Sequence, residues 1–298
     1  MKRRILLSFL LCLTAVCLLS FTADEEYQRG DVNHDGNVSV ADVSSLIDYL
    51  MYGTWNDDPV NPSELQDETI TVNGVSFKMV AVEGGTFMMG AADDDPEAYD
   101  VEKPAHQVTL SSYYIGETEV TQALWVAVMG SNPSTYRFDL RRPVETVSWD
   151  DCQEFIAKLN ELTGKQFRLP TEAEWEFTAR GGNKSLGYKY AGSDTLEDVA
   201  WCIYNSNDEV PTHVVATLAP NELGIYDMCG NVYEFCQDIY GPYSSEAQID
   251  PIGAISGDSR VVRGGYWGDI DTRNYCLSMR GGGPQDYAHE SSGLRLAL

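Results

Sequence analysis

The stretch RLPTEAEWEFTARGG, Arg168 to Gly182, carries a full set of helix start and stop signals. Pro170 ends the preceding segment, and the Thr171 hydroxyl can cap a helix. Glu174, three residues on, completes a capping box that satisfies the first free backbone N–H groups. The pattern predicts a helix running to Arg180 and stopping at Gly181. Trp175 and Ala179 share one face at i, i+4 spacing, while Glu172, Glu174 and Glu176 place negative charge where the helix dipole favours it. By itself the stretch specifies a short, well-capped helix.

The same wording recurs in a wider set of segments. MVAVEGGTFMMG starts at Met79, ETEVTQALW at Glu117, PVETVSWDDCQEF at Pro143, PNELGIYDMCGNVYEFCQD at Pro220, RVVRGGYWGD at Arg260 and GLRL at Gly293. Taken in this order with the Arg168 stretch, they resemble the sulfatase-modifying-factor family, the formylglycine-generating-enzyme type of domain, over residues 77–298. The resemblance implies an α+β domain of the C-type-lectin-like kind, with few regular elements and long ordered loops. Strand-like runs at Phe77–Val82, Thr86–Met89 and His106–Ser112, punctuated by Gly and Pro, suit that architecture. Two further helices are legible. One is capped by Thr121 and ends near Gly130; the other opens at Ser148 with Asp151, runs to Thr163 and stops at Gly164. The second carries Cys152, Phe155, Ile156, Leu159 and Leu162 as its core-facing stripe.

Upstream the chain changes character twice. Residues 1–23 join a basic head, Lys2, Arg3 and Arg4, to an apolar run that breaks at Asp24, Glu25 and Glu26. This is the pattern of a secretory signal peptide, which would place the mature chain outside the cytoplasm: secreted, periplasmic or at the cell surface. A single membrane anchor is the alternative, and the surroundings of Cys17 match a lipoprotein processing box poorly. Residues 24–53 contain GDVNHDGNVSVAD, which sets Asp31, Asn33, Asp35, Asn37, Ser39 and Asp42 at positions 1, 3, 5, 7, 9 and 12 of a calcium loop, with Gly36 at the sharp turn. The helix that follows, Val40 to Met51, has Val43, Leu46, Ile47 and Leu50 on one stripe. This unit resembles one repeat of a dockerin, implying a cohesin-like partner and a place in a polysaccharide-degrading system, although no second repeat follows. Residues 54–76, rich in Pro, Asn and Asp, read as a linker.

The formal charge is −26. Nucleic acid and anionic membranes would be repelled by such a surface, which excludes both as partners. Calcium is the cofactor the acidic residues suggest. Within PNELGIYDMCGNVYEFCQD, Asp227 and Glu234 flank a Gly-Asn turn and could reach one cation; the family resemblance implies Asp227, Gly230, Val232 and Glu234 as calcium ligands, the middle two through carbonyl oxygens. A second family calcium site falls on DVAWCIYNSND, where the match names no ligands.

Active members of the family hold copper(I) between two cysteines after the Gly-Gly pair, soft ligands suited to a soft ion. Here those positions fall on Asp269 and near Asn274, and Cys276 stands alone. Copper and the oxidase reaction are therefore not expected. Five cysteines lie outside the first 23 residues, and relatives suggest Cys236 with Cys276 as a bridge. Tyr266, Asp269, Asp271, Arg273, Asn274 and Tyr275 form a candidate ligand surface for a glycan or a protein, with Trp267 expected in the core and its polar neighbours exposed. The function implied is a secreted, calcium-binding, non-catalytic recognition or assembly domain. Alternatives are a formylglycine-generating oxidase acting on sulfatase cysteines and a dockerin-bearing component of a polysaccharide-degrading system.

Overall fold

A computed structural model of the chain describes residues 65–206 and 211–298. Contacts divide the chain into Met1–Glu64 and Leu65–Leu298; the expected signal peptide and the expected calcium loop with its six proposed ligands lie outside the described residues. In chain order the elements are β1 (Glu68–Val72), β2 (Val75–Val82), β3 (Gly85–Met89), β4 (His106–Leu110), β5 (Tyr113–Gly116), α1 (Gln122–Met129), α2 (Trp149–Thr163), α3 (Glu172–Ala179), α4 (Leu196–Val199), β6 (Ala200–Trp201), β7 (Cys229–Gly230), β8 (Tyr233–Ile239), β9 (Gln248–Ile249), β10 (Ser259–Arg263), β11 (Gly281–Pro284) and β12 (Ser292–Leu294). The sheets are small and mixed: β1-β2-β5, β11-β10-β8-β12, β3-β4-β9 and the pair β6-β7. Small mixed sheets, few helices and long ordered loops fit the C-type-lectin-like α+β fold. Among the described residues no helix is long and apolar enough to cross a membrane.

Local chemistry explains most of the boundaries. Thr121 Oγ1 accepts from Leu124 N at the start of α1, and Gly130 ends it in the left-handed region. Ser148 and Asp151 form the capping box of α2, and Gly164 terminates it the same way. Thr171 and Glu174 cap α3 reciprocally. Two expectations need correction. Leu162 is 52% exposed, because the last turn of α2 runs past the core. The domain also begins before Phe77: β1 occupies residues assigned to the linker. Asn73 and Gly74, both at positive φ, make the two-residue turn that pairs Val72 with Val75, a connection that suits the twist of a tight hairpin.

Two apolar clusters hold the domain. One packs Trp125 and Phe155, stacked with centroids 4.8 Å apart, against Met79, Phe235, Leu294 and Leu296. The other surrounds Trp175 and Phe177 of α3 with Val108, Ile115, Met228 and Tyr275. Each large side chain so buried stabilises the fold by roughly 2–3 kcal/mol. All eight residues of α3 are buried, so its three glutamates enter the interior with it. That placement sets the chemistry of the domain.

Candidate functional site

Charge buried on α3 must be met by charge. Glu172 takes Arg280 in a fork, Nε to Oε1 at 2.7 Å and Nη2 to Oε2 at 2.8 Å, and the Tyr243 hydroxyl donates to it at 3.0 Å. Glu174 accepts both terminal nitrogens of Arg168 at 2.6 Å. Glu176, fully buried, accepts from Arg263, from Arg180 at 2.7 Å and from Gly90 N at 2.8 Å. Burial pushes its carboxyl up, yet Arg180, Arg263 and the backbone donor outweigh that, and its pKa lies below the usual value. Arg263 Nη1 is consumed by the carbonyls of Leu277 and Met279. Asp238 accepts from Glu172 N at 2.9 Å; desolvation, then the charge of Glu172, push it up to about 7. In this lattice the three glutamates are held on both oxygens, and Asp238 has the Glu172 N–H as its donor.

A second cluster lies where the calcium ligands are expected. Glu234 accepts from Trp175 Nε1 at 2.7 Å and from Arg295 Nη2 at 2.6 Å. Asp227 accepts from Ala216 N at 2.7 Å. Glu119, which the sequence did not single out, accepts from Asn231 Nδ2 at 2.9 Å and from Val232 N at 3.2 Å. Three buried carboxylates therefore share one guanidinium. Desolvation, with the charge of Glu234 adding to it, pushes Asp227 up to about 6; burial followed by the charges of Asp227 and Glu234 drives Glu119 well above the carboxylate range. A cavity of about 230 Å³ opens on Glu119, walled by Lys78, Glu117, Thr121 and Ala216. Gly230 sits at φ +79, and a Cβ there would meet Trp201 O at 2.3 Å, which fixes the turn as glycine. Hard oxygen donors with an uncompensated negative charge fit a calcium ion. Among the described residues no three His, Cys, Asp or Glu side chains form a closed metal cluster, so an ion here would draw on backbone carbonyls such as those of Gly230 and Val232.

The groove formed after Gly265 is built around Asp269. Its Oδ2 accepts from the Tyr233 hydroxyl at 2.8 Å and from Tyr266 N at 3.0 Å, and its Oδ1 accepts from Asn274 Nδ2 at 2.9 Å. The Tyr275 hydroxyl donates to the carbonyls of Tyr266 and Asp269. Desolvation raises the Asp269 pKa against these hydrogen bonds. The structure thus brings Asp269 and Asn274 together. A hydrogen-bonded carboxylate and carboxamide are hard donors and do not fit copper(I). At the rim Arg273 forks onto Asp271 and lies 4.4 Å from the Tyr99 ring.

Three expectations here are corrected. Tyr275 is fully buried and Asp269 is buried, so neither belongs to an open surface, while Trp267 is only half-buried; the aspartate is drawn inward by its three donors and leaves the indole at the edge. Cys236 and Cys276 are separate free thiols, as are Cys152, Cys202 and Cys229. Cys236 is sealed within β8 among Asp238, Glu172 and Arg263, whereas half-buried Cys276, its thiol pushed up to about 11 by burial, faces Lys189 and the acids Glu102 and Glu97. Arg263, Arg280 and Arg295, missed from sequence, did leave one signal. Arg263 follows Val261 at period two on β10, and Arg295 sits between buried Leu294 and Leu296.

The sulfatase-modifying factor enzyme 1-like domain family matches residues 68–298. The chain is 34% identical over 211 residues to the chaperone protein LppX of Paenibacillus barcinonensis, covering 54% of this chain and 71% of that protein. It is 30% identical over 267 residues to the formylglycine-generating enzyme of Thermomonospora curvata, covering 68% and 86%. It matches 74% of its length to a serine/threonine-protein kinase pkn1 of Chlamydia pneumoniae at 30% identity, but spans only 38% of that protein. Among solved structures, Treponema denticola variable protein 1 superposes with a TM-score of 0.71 and 32% identity, over 78% of this chain and 98% of that one.

Proposed function

The chain belongs to the sulfatase-modifying factor enzyme 1-like domain family, and from that premise we propose that it is a secreted, calcium-stabilised recognition domain without the family's oxidase chemistry. The observation that carries this proposal is the Asp269–Asn274 hydrogen bond at 2.9 Å, where the reaction would need a pair of soft thiolates. The Tyr233 hydroxyl and Tyr266 N hold the Asp269 carboxylate, which in turn holds Asn274, so the groove is preorganised for hydrogen bonding and not for binding a soft metal. Calcium, when bound through Asp227, Glu234 and the turn carbonyls of Gly230 and Val232, would supply the positive charge that Arg295 alone does not. The loop carrying Asp31, Asn33, Asp35, Asn37, Ser39 and Asp42 would take a second calcium, with a cohesin-like partner as its further consequence; Asp31→Ala with Asp35→Ala should remove one calcium from the binding stoichiometry.

Similarity to formylglycine-generating enzymes favours a second function, oxidation of a sulfatase cysteine. A peptide containing Cys-x-Pro-x-Arg, incubated with the protein, copper(I), calcium, oxygen and a thiol reductant, separates the two by mass spectrometry. The thiol is expected to remain unchanged beside an active control. Conversion to the aldehyde would establish the oxidase and sink the recognition proposal. Asn274→Ala should leave the fold intact and abolish binding of whatever ligand a glycan and protein screen returns.

A further inference from the structure

Two of the free thiols converge on one stretch of backbone. Cys229, in β7, is fully buried. Its Sγ donates to the carbonyl of Tyr275 at 3.2 Å and accepts from Ala191 N at 3.4 Å. Cys276 follows Tyr275 in the chain, at the end of the single helical turn Thr272–Tyr275. It packs, half-buried, against the same apolar cluster that encloses Cys229, Tyr190 and Ala191, and its thiol faces Lys189. The run Lys189–Tyr190–Ala191 thus has Cys276 beside its first residue and Cys229 hydrogen-bonded to its last, and the Tyr190 phenol between them feels the charge of both.

Covalent geometry turns this into proximity. The Tyr275 carbonyl oxygen is three bonds from the Cys276 Cα, a path of about 4 Å, so Cys229 Sγ, 3.2 Å from that oxygen, lies no more than roughly 7 Å from the Cα of Cys276. A bridge requires Cys229 to leave its carbonyl acceptor and the Cys276 side chain to rotate inward, which is a local adjustment within the range that disulfide geometry accepts. The remaining thiols are turned elsewhere. Cys152 lies in the other apolar cluster, Cys236 is sealed within β8, and Cys202 Sγ points to Asn205 Oδ1 at 3.5 Å.

We propose that Cys229 and Cys276 form a redox-active dithiol that closes to a disulfide when the chain meets a low-molecular-weight disulfide. Cys276 reacts first because it is the more accessible of the two. Its thiolate attacks one sulfur of the oxidant; a new S–S bond forms, the oxidant's own S–S bond breaks, and the departing thiolate takes up the proton that Cys276 gave. Cys229 then attacks the Cys276 sulfur of this mixed disulfide, and its proton passes to the second departing thiolate. Two protein thiols are oxidised and one disulfide is reduced to two thiols. Burial makes the Cys276 thiolate scarce, so the first attack is slow, but a thiolate of high pKa is also strongly nucleophilic. The bridge ties the groove segment that ends at Cys276 to the turn beginning at Cys229. It goes beyond the recognition function proposed above and does not depend on it.

The test incubates the full, reduced chain under native conditions at about pH 8.5 with glutathione disulfide, then alkylates and maps it by mass spectrometry. Trypsin with chymotrypsin separates the cysteines, cutting at Tyr204, Tyr233, Phe235 and Tyr275. The expected product is a linked pair of peptides carrying Cys229 and Cys276, with two hydrogens lost. In Cys276→Ser the disappearance of the Cys229 thiol should slow at least about tenfold, because the buried sulfur has lost its point of entry. The bridged protein should melt about 5–15 °C higher, since the link closes a long loop. Four results overturn the proposal: no loss of either thiol, Cys276 held as a stable mixed disulfide beside a free Cys229, a link from Cys229 to Cys202 or Cys236, or a bridged protein that melts below the reduced one. If Cys276→Ser does not fold, the link mapped in the unsubstituted protein still decides.

Discussion

The two buried carboxylate clusters meet at Trp175 and differ in balance. Around Glu172, Glu174 and Glu176, four arginines supply the compensation: Arg168, Arg180, Arg263 and Arg280. Around Glu119, Asp227 and Glu234 there is, among the described residues, Arg295 alone. Trp175 bridges them, its ring 5.3 Å from Arg263 on one side and its Nε1 donating to Glu234 on the other. The first cluster is self-sufficient and belongs to the fold. The second is short of positive charge.

Breaking the balanced cluster should have the largest effect. Glu176→Gln leaves Arg263 buried without its carboxylate while keeping the side-chain shape, and removing one partner of a buried pair costs about 3–5 kcal/mol. Urea unfolding at neutral pH measures it. A loss below 1 kcal/mol would mean that Glu172 can hold Arg263 alone and that the lattice is redundant.

The charge-deficient cluster should respond to calcium instead. At a free concentration one hundred times its dissociation constant, an ion bound only by the folded state adds about 2.7 kcal/mol, and the gain should shrink sharply in Asp227→Asn. Chelation should return the protein to its ion-free stability. The pH dependence carries a sign that checks the same point. Asp227 is raised to about 6 in the fold, so without calcium its contribution is present below the ordinary aspartate value and is lost as pH rises through 6. Calcium binds the ionised form and should abolish that decline. An unchanged decline in saturating calcium would place the ion elsewhere.

Within the balanced cluster one acid is left over, and it gives a smaller effect. Asp238, raised to about 7, stabilises the fold while protonated, and that contribution fades as pH climbs from about 4 through 7. Asp238→Asn keeps an acceptor for Glu172 N and removes the ionisation, so stability above pH 7 should rise by roughly 1–2 kcal/mol relative to the parent and its slope between pH 4 and 7 should flatten. Thermal unfolding across that range reads both, and a parallel curve would show that solvent reaches Asp238.

The caps of all three longer helices were legible because Thr121, Ser148 with Asp151, and Thr171 with Glu174 act within a few residues of themselves. What stayed hidden depends on partners far along the chain. Glu176 and Arg263 are 87 residues apart, and nothing local distinguishes a glutamate facing water from one facing a distant arginine. The same limit explains the groove. Asp269 and Asn274 are close in sequence and their proximity was expected, but the burial of Asp269 depends on Tyr233, 36 residues away. The hairpin at Asn73-Gly74 is a different kind of miss: its signal is local, and the surrounding Pro- and Asp-rich composition masked it.

The smallest effect should come from an ion pair with neither burial nor network. Lys158 and Glu154 meet at 2.7 Å on the outer face of α2, with side chains 43% and 60% exposed. Their geometry is as good as that of Arg295 with Glu234, where the nitrogen and oxygen lie 2.6 Å apart. Distance alone would rank the two alike. Water screens the exposed pair and holding two long side chains costs entropy, so Lys158→Ala should change stability by no more than about 0.5 kcal/mol and should lose even that at high salt. Removing the Glu234 carboxylate strands a buried guanidinium that salt cannot reach. If the two substitutions cost the same in urea unfolding, burial is not what separates these ion pairs, and the contrast between the two interior clusters loses its physical basis.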